Sequence, residues 1–249
     1  MIDMRSVFTH TNYSSTVDKF KLSDCNWSIF QDVHKDVSNN KCPICEVELS
    51  TQPSSQYLAT IDHFRPKATD MYPDLRCEPK NYILMCKLCN EKYKKSKFPL
   101  YDETKRVCSA KCINDVKDEK PLLFNLIEED PLYFFELVFK QTAIGGILEL
   151  KRNSKTIAKD KTDYNYMRCQ EMIDLFGLGN CHKDIHPNKE IKECRIDILT
   201  KHYIIFIDLA KARGNKKSLA LFLKDENRIN ELKKYGFFQF IMKNQFVIT

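Results

Sequence analysis

The sequence predicts an α+β protein: a zinc-stapled module of two strands and a helix, then a β-hairpin and a mainly α-helical C-terminal region. Three observations carry that expectation. Two Cys-x-x-Cys pairs, Cys42-Pro43-Ile44-Cys45 and Cys86-Lys87-Leu88-Cys89, have the spacing of a four-thiolate zinc site, which fixes the ends of a small module without a large apolar core. The stretches between them alternate as strands do. Further on, β-prone runs flank Gly145-Gly146, and apolar residues recur at helical spacing from Asp163 onward.

Taken in order, residues 1–40 read as a helical extension. Trp27, Phe30, Val33 and Val37 line one face of a short helix that stops at the turn-forming Ser38-Asn39-Asn40. The zinc module is expected over 41–120. In it, Tyr57 to His63 alternates as a strand delivering His63 at its end, Asn81 to Cys86 leads into the second cysteine pair, and Cys89 to Lys97 reads as a helix. The stretch Cys108 to Lys120 is charged and turn-like. The third segment, 121–249, resumes apolar content at Pro121-Leu122-Leu123-Phe124-Asn125 and continues with a hairpin of Tyr133–Lys140 and Ile147–Lys151. Helices follow: one through Tyr166, Cys169, Met172, Ile173 and Phe176 that stops at Gly177, a second from Ile191 to Gly214, and a third from Lys217 to about Tyr235, before an apolar tail.

Composition excludes several classes. A chain of 249 residues that is 43% hydrophobic can bury a good core and is not a disordered protein. Neither a membrane-spanning apolar run nor a signal peptide is visible, so the expected setting is the bacterial cytoplasm, with no membrane partner. The cysteine count, eleven, is odd, which together with the paired spacing favours thiolate metal binding in a reducing compartment. On that view the seven cysteines outside the two pairs are free thiols. The net charge of +6 fits a nucleic-acid partner, and Lys87, Lys92, Lys94, Lys95 and Lys97 concentrate positive charge beside the second pair.

The residues between the cysteine pairs and just after the second carry chemistry suited to phosphodiester hydrolysis, which needs an activated water and a cation to neutralise charge on the phosphate. His63 is the candidate general base, since a neutral imidazole accepts a proton near physiological pH. Asp62 and the carboxamide of Asn90 offer hard oxygen ligands for Mg2+ or Mn2+. Asn81 is expected to hold the loop backbone and the imidazole in place. Arg65, Lys67, Lys94 and Lys95 are candidate phosphate contacts. Cys108 with Cys112, and Cys181 with His182 and His186, have ligand-like spacing for a second metal site, although neither has an obvious second half.

These residues resemble a known family. Asp62-His63-x-x-Pro66-Lys67, then Asn81, then Cys86-x-x-Cys89-Asn90, is similar to the HNH (ββα-metal) nuclease motif in its zinc-bearing form. Ile61 to Lys67, Tyr93-Lys94, Lys97-Phe98-Pro99, Pro121 to Asn125 and Asp130-Pro131 resemble the PtuB family, the HNH subunits of Septu-type antiphage systems, with relatives beside some retrons. The resemblance covers Cys42 to Pro131, with a weaker echo in Arg168 to Leu178. It implies a general base at His63, catalytic-metal ligands at Asp62 and Asn90, and a supporting Asn81. Also implied are a PtuA-like ATPase partner docked by the C-terminal half and, in the retron-associated form, a reverse transcriptase with its RNA–DNA product. The expected activity is endonucleolytic cleavage of DNA. Cleavage of RNA such as a host tRNA by the same site is the alternative, as is a zinc-ribbon adaptor that binds nucleic acid without cutting it. For the first forty residues the resemblance implies nothing.

Overall fold

The computed structural model describes residues 1–142, 145–179, 217, 220–221, 224–236, 239 and 246–248. The chain divides into two compact units, Asp3–Asp130 and a second formed by Met1–Ile2 with Pro131–Thr249. Where sequence suggested a separate extension, residues from Asp3 onward fold with the cysteine-bearing module.

In the first unit, α1 (Tyr13–Lys21) is followed by a 3-10 turn, Trp27–Phe30, that runs into α2 (Gln31–Val37). The helix expected from Trp27 therefore opens as a tighter 3-10 turn. It closes where Asn39 and Asn40 take φ of 52° and 56°, the left-handed region that asparagine tolerates. Strands β1 (Ala59–His63) and β2 (Tyr82–Cys86) pair antiparallel, with Asp62 opposite Ile83 and His63 opposite Tyr82. Every residue of β2 is buried, as the unbroken apolar run Tyr-Ile-Leu-Met requires of a strand covered on both faces. One face meets α1 and the 3-10 turn before α2, whose Phe20 and Phe30 rings lie 5.8 and 5.3 Å from that of Tyr82. The other meets a π-helical segment, Leu88–Lys94.

That segment is shorter than the helix expected to reach Lys97. The Lys95 amide donates to the carbonyl of Asn90, five residues back, and Lys95 then turns to φ 52° and ends it. Residues 98–130 return through short 3-10 turns at Glu103–Lys105 and Ile113–Val116 and a bridge between Leu100 and Pro121.

The second unit begins with a helical turn, α3 (Pro131–Phe134), so the hairpin starts at Phe135 instead of Tyr133. Strands β3 (Phe135–Thr142) and β4 (Gly145–Arg152) pair antiparallel with Leu137 opposite Leu150. Helix α4 (Tyr164–Phe176) is capped by the Asp163 carboxylate, which accepts from the Tyr166 amide, and closes at Gly177, whose φ of 66° suits a residue without a Cβ. Helix α5 (Glu226–Lys233) falls inside the helix expected from Lys217. Strand β5 (Phe246–Ile248), from the apolar tail, pairs parallel with β3. The helix expected over Ile191–Gly214 and the ligand-like Cys181, His182 and His186 lie outside the described residues. No helix among the described residues is long and apolar enough to cross a membrane.

Candidate active site and metal centre

Cys42, Cys45, Cys86 and Cys89 form a buried cluster whose sulfur atoms all lie within 4.8 Å of one another. Local backbone turns make it. Glu46, at φ 59°, turns its amide back onto the Cys42 carbonyl, while β2 ends at Cys86 and the helical segment carries Cys89. The Cys42–Cys89 and Cys45–Cys86 sulfur separations are 3.7 and 3.8 Å. A tetrahedron with metal–sulfur bonds of about 2.3 Å has edges of about 3.8 Å, so the cluster has the size and chemistry to hold zinc. Amides also point at the sulfurs, Cys86 N at Cys42 Sγ and Cys89 N at Cys86 Sγ, as suits thiolates. Among the described residues no second such cluster forms: Cys108 is exposed, Cys112 is half-buried, and the two join no group of ligands.

His63 ends β1 and is buried. Its Nε2 lies 2.9 Å from the Arg76 carbonyl oxygen, so the ring donates there and the lone pair resides on Nδ1. The ring packs edge-on against Tyr82 and Trp27, at 5.2 and 5.0 Å between centroids. Burial lowers its pKa to about 4, opposed by the Arg76 hydrogen bond and reinforced by the positive charges of Lys67, Lys94 and Arg76. At neutral pH the imidazole is uncharged.

Asp62 and Thr60 project from the opposite face of β1, because neighbouring strand residues alternate. The Asp62 carboxylate faces Lys94, with 2.8 Å between Oδ2 and Nζ, and both side chains are buried. Lys94 also donates to the His63 carbonyl at 2.9 Å. Burial pushes the Asp62 pKa up, and Lys94 pulls it back down. Four residues before Lys94, the Asn90 carboxamide donates to Thr60 Oγ1, which in turn donates to the Met85 carbonyl. Asp62 and Thr60 thus meet the helical segment on one face, through its Lys94 and Asn90, and His63 sits on the other, at the end of the same strand. The oxygen donors suit a hard cation in kind, but the cation now beside Asp62 is the Lys94 ammonium.

Asn81 is fully buried and clamps the loop joining the strands. Its Oδ1 accepts from the Arg65 amide, and its Nδ2 donates to the carbonyls of Arg65 and Leu75. These bonds go to loop backbone and not to the His63 ring.

Two candidate phosphate contacts have turned inward. Arg65 is buried, its guanidinium 3.2 Å from Glu119 and within 6 Å of the Phe64, Tyr72 and Phe98 rings. Glu119, itself buried, also accepts from the Tyr72 hydroxyl and the Val107 amide, so Arg65 ties residues 98–119 to the module. Lys94 is committed to Asp62. Both side chains therefore serve inside the fold rather than at its surface, because each has a buried carboxylate to neutralise. Lys67 and Lys95 are exposed, and the Lys67 ammonium sits 3.7 Å over the Trp27 ring.

The expectation of free thiols outside the two pairs is corrected at Cys25 and Cys77, which form a disulfide with 5.4 Å between their Cα atoms. Sequence reasoning also passed over Trp27, Arg76, Tyr72 and Glu119. Only Trp27 carried a local signal, as the first apolar residue of a predicted helix.

Fold and site together define a four-cysteine module built of two strands and a helical segment, with a buried Asp-His pair at the end of its first strand. Comparison with known proteins adds a relationship. The chain is 33% identical over 132 residues to the Septu protein PtuB of Bacillus mycoides (strain KBAB4), covering 49% of this chain and 41% of that one. It is 42% identical over 57 residues to the Septu protein PtuB of Bacillus thuringiensis, covering 23% and 20%. Over about half of its length the chain is therefore similar to PtuB, and it spans less than half the length of these curated relatives. No family model matches the chain, and no solved structure matches it significantly.

Proposed function

We propose that this chain is a metal-dependent HNH-type endonuclease subunit of a Septu-type antiphage defence system, cutting DNA and working with a PtuA-like ATPase. The observation that carries the reading is His63: neutral, held in one tautomer by the Arg76 carbonyl, and placed at the end of β1, which pairs with the strand that enters the four-cysteine cluster at Cys86. The PtuB relatives support the defence setting, and their names speak of Septu systems and not of retrons.

In this reading zinc on Cys42, Cys45, Cys86 and Cys89 is structural, fixing β2 against the segment that carries Asn90 and Lys94. Nδ1 of His63 takes the proton of a water as its oxygen bonds to phosphorus and the bond to the leaving oxygen breaks. Mg2+ or Mn2+, when bound, supplies charge neutralisation at the phosphate, with Asp62 and Asn90 as the residues to hold it. Of the four candidate phosphate contacts, Lys67 and Lys95 are the two that are exposed. The C-terminal unit docks the ATPase. Incubating the chain and its ATPase with single-stranded DNA, duplex DNA and total RNA, with Mg2+ or Mn2+, tests the activity and identifies the substrate together. Cleavage of duplex DNA supports the reading; cleavage confined to RNA keeps the enzyme and changes its target.

One observation favours a second reading. With Lys94 paired to Asp62, the module has an internal cation where a catalytic one is expected, as in a zinc-ribbon adaptor that binds without cutting. Absence of cleavage under every condition above, with nucleic-acid binding retained, would support it.

A further inference from the structure

His63 is held by residues that lie far from it in sequence. Trp27 meets the imidazole edge-on, at 5.0 Å between centroids and 76° between planes. Two residues earlier, Cys25 is bonded to Cys77. Cys77 follows Arg76, whose carbonyl accepts from both His63 Nε2 and the Tyr82 hydroxyl, at 2.9 and 2.8 Å, and the Cys25 sulfur lies 3.5 Å from the same oxygen. Cys25 itself takes φ 54°, a conformation that L residues rarely adopt and that the surrounding structure must enforce. Lys67 covers the face of the Trp27 ring.

A histidine that moves protons needs one tautomer and one orientation, and the group on its second nitrogen sets both. Tyr82 belongs to the strand opposite and flanks the ring wherever the hairpin forms. The other two constraints involve residues 25–27: the carbonyl on Nε2, which the Tyr82 hydroxyl also holds, precedes the disulfide-bonded Cys77, and the second aromatic edge is Trp27.

We propose that Cys25 to Trp27 is the positioning arm of the His63 base. The Cys25–Cys77 bond keeps the Arg76 carbonyl on Nε2, and Trp27 keeps the ring from turning away. The assignment of His63 as a base rests on the reading given above. In a reducing compartment disulfides are more often transient or redox-sensing than permanent, so the arm also makes the base sensitive to thiol state. Opening the bond takes two electrons and two protons. A dithiol supplies them by closing to its own disulfide, leaving Cys25 and Cys77 as thiols.

The test uses the full chain labelled with 15N-histidine, read by ring nitrogen–proton correlation spectra, with His63→Gln to assign the His63 signals. The oxidised protein is expected to show His63 in the Nε2–H tautomer alone. Dithiothreitol, or the double substitution Cys25→Ser with Cys77→Ser, is expected to give mixed tautomers with zinc content unchanged. In cleavage assays the double variant and Trp27→Ala are expected to lose about tenfold to a hundredfold in kcat with KM little changed, and Trp27→Phe to recover most of it. An unchanged tautomer in the reduced and double-variant proteins overturns the arm. So does unchanged kcat in both variants while His63→Gln is inactive. If the wild type cleaves nothing, or His63→Gln cleaves as well as wild type, the nuclease reading fails, and the tautomer spectra still decide whether the arm positions the ring.

Discussion

The Lys94 ammonium lies 2.8 Å from Asp62 Oδ2, with both side chains buried. The contact is a buried ion pair, and Lys94 also places a hydrogen bond on the His63 carbonyl. Removing one member leaves an uncompensated charge in the interior. Lys94→Met is therefore expected to destabilise the first unit by about 3–5 kcal/mol, and Lys94→Met with Asp62→Leu to cost less than Lys94→Met alone. Urea unfolding followed at Trp27, the single tryptophan, measures both.

The four clustered sulfurs predict one tightly held zinc at this site, lost when two of its four ligands are removed. Elemental analysis should find one zinc fewer per chain in Cys42→Ser with Cys86→Ser than in the wild type. Because the thiolates fix the end of β2 to the segment after it, that variant should also lose the cooperative unfolding of the first unit.

Arg65 and Lys67 are two residues apart and predict opposite phenotypes. Arg65→Ala strands the buried Glu119 carboxylate and should cost about 3 kcal/mol or more of stability, whatever nucleic acid is present. Lys67→Ala, which removes its contact over the Trp27 ring, should cost no more than about 1 kcal/mol of stability. Its effect should fall on nucleic-acid binding, lowering the salt slope by about 0.7–0.9 for the phosphate contact removed. Binding titrations over a range of salt concentration, beside urea curves, separate the two.

His34 predicts a loss of stability in acid. Its side chain is buried with Nδ1 unpaired, and burial lowers its pKa from 6.5 to about 4. Between those values the unfolded chain binds a proton that the folded one refuses. Stability present above about pH 6.5 should therefore decline toward pH 4, by about 3 kcal/mol for this one residue. His63 contributes with the same sign. His34→Phe should flatten the decline without abolishing it, as seen in urea midpoints measured from pH 7 to pH 4.

The parts of this account visible in sequence are those with short-range signals. Cys42, Cys45, Cys86 and Cys89 announce themselves because a metal knuckle needs its ligands two residues apart. The strand ending at His63 and the helix stopping at Gly177 follow from alternation and from one glycine. What stayed hidden depends on partners distant in sequence. Cys25 and Cys77 are separated by 52 residues, and Arg65 and Glu119 by 54, so no local pattern pairs them. Lys94 was misleading for a different reason: in a lysine-rich stretch one lysine looks like any other until a buried carboxylate is found beneath it. That Asp62 and His63 point to opposite faces was in principle legible, since adjacent residues of a strand always do.

The central claim is that His63 activates water for phosphodiester cleavage on a zinc-fixed module, and His63→Ala tests it most directly. Cleavage by the chain with its ATPase and Mg2+ or Mn2+ should fall by at least about 10²-fold in the variant, with zinc content and unfolding cooperativity kept. A variant that holds its zinc, folds, and cleaves at the wild-type rate would contradict the account.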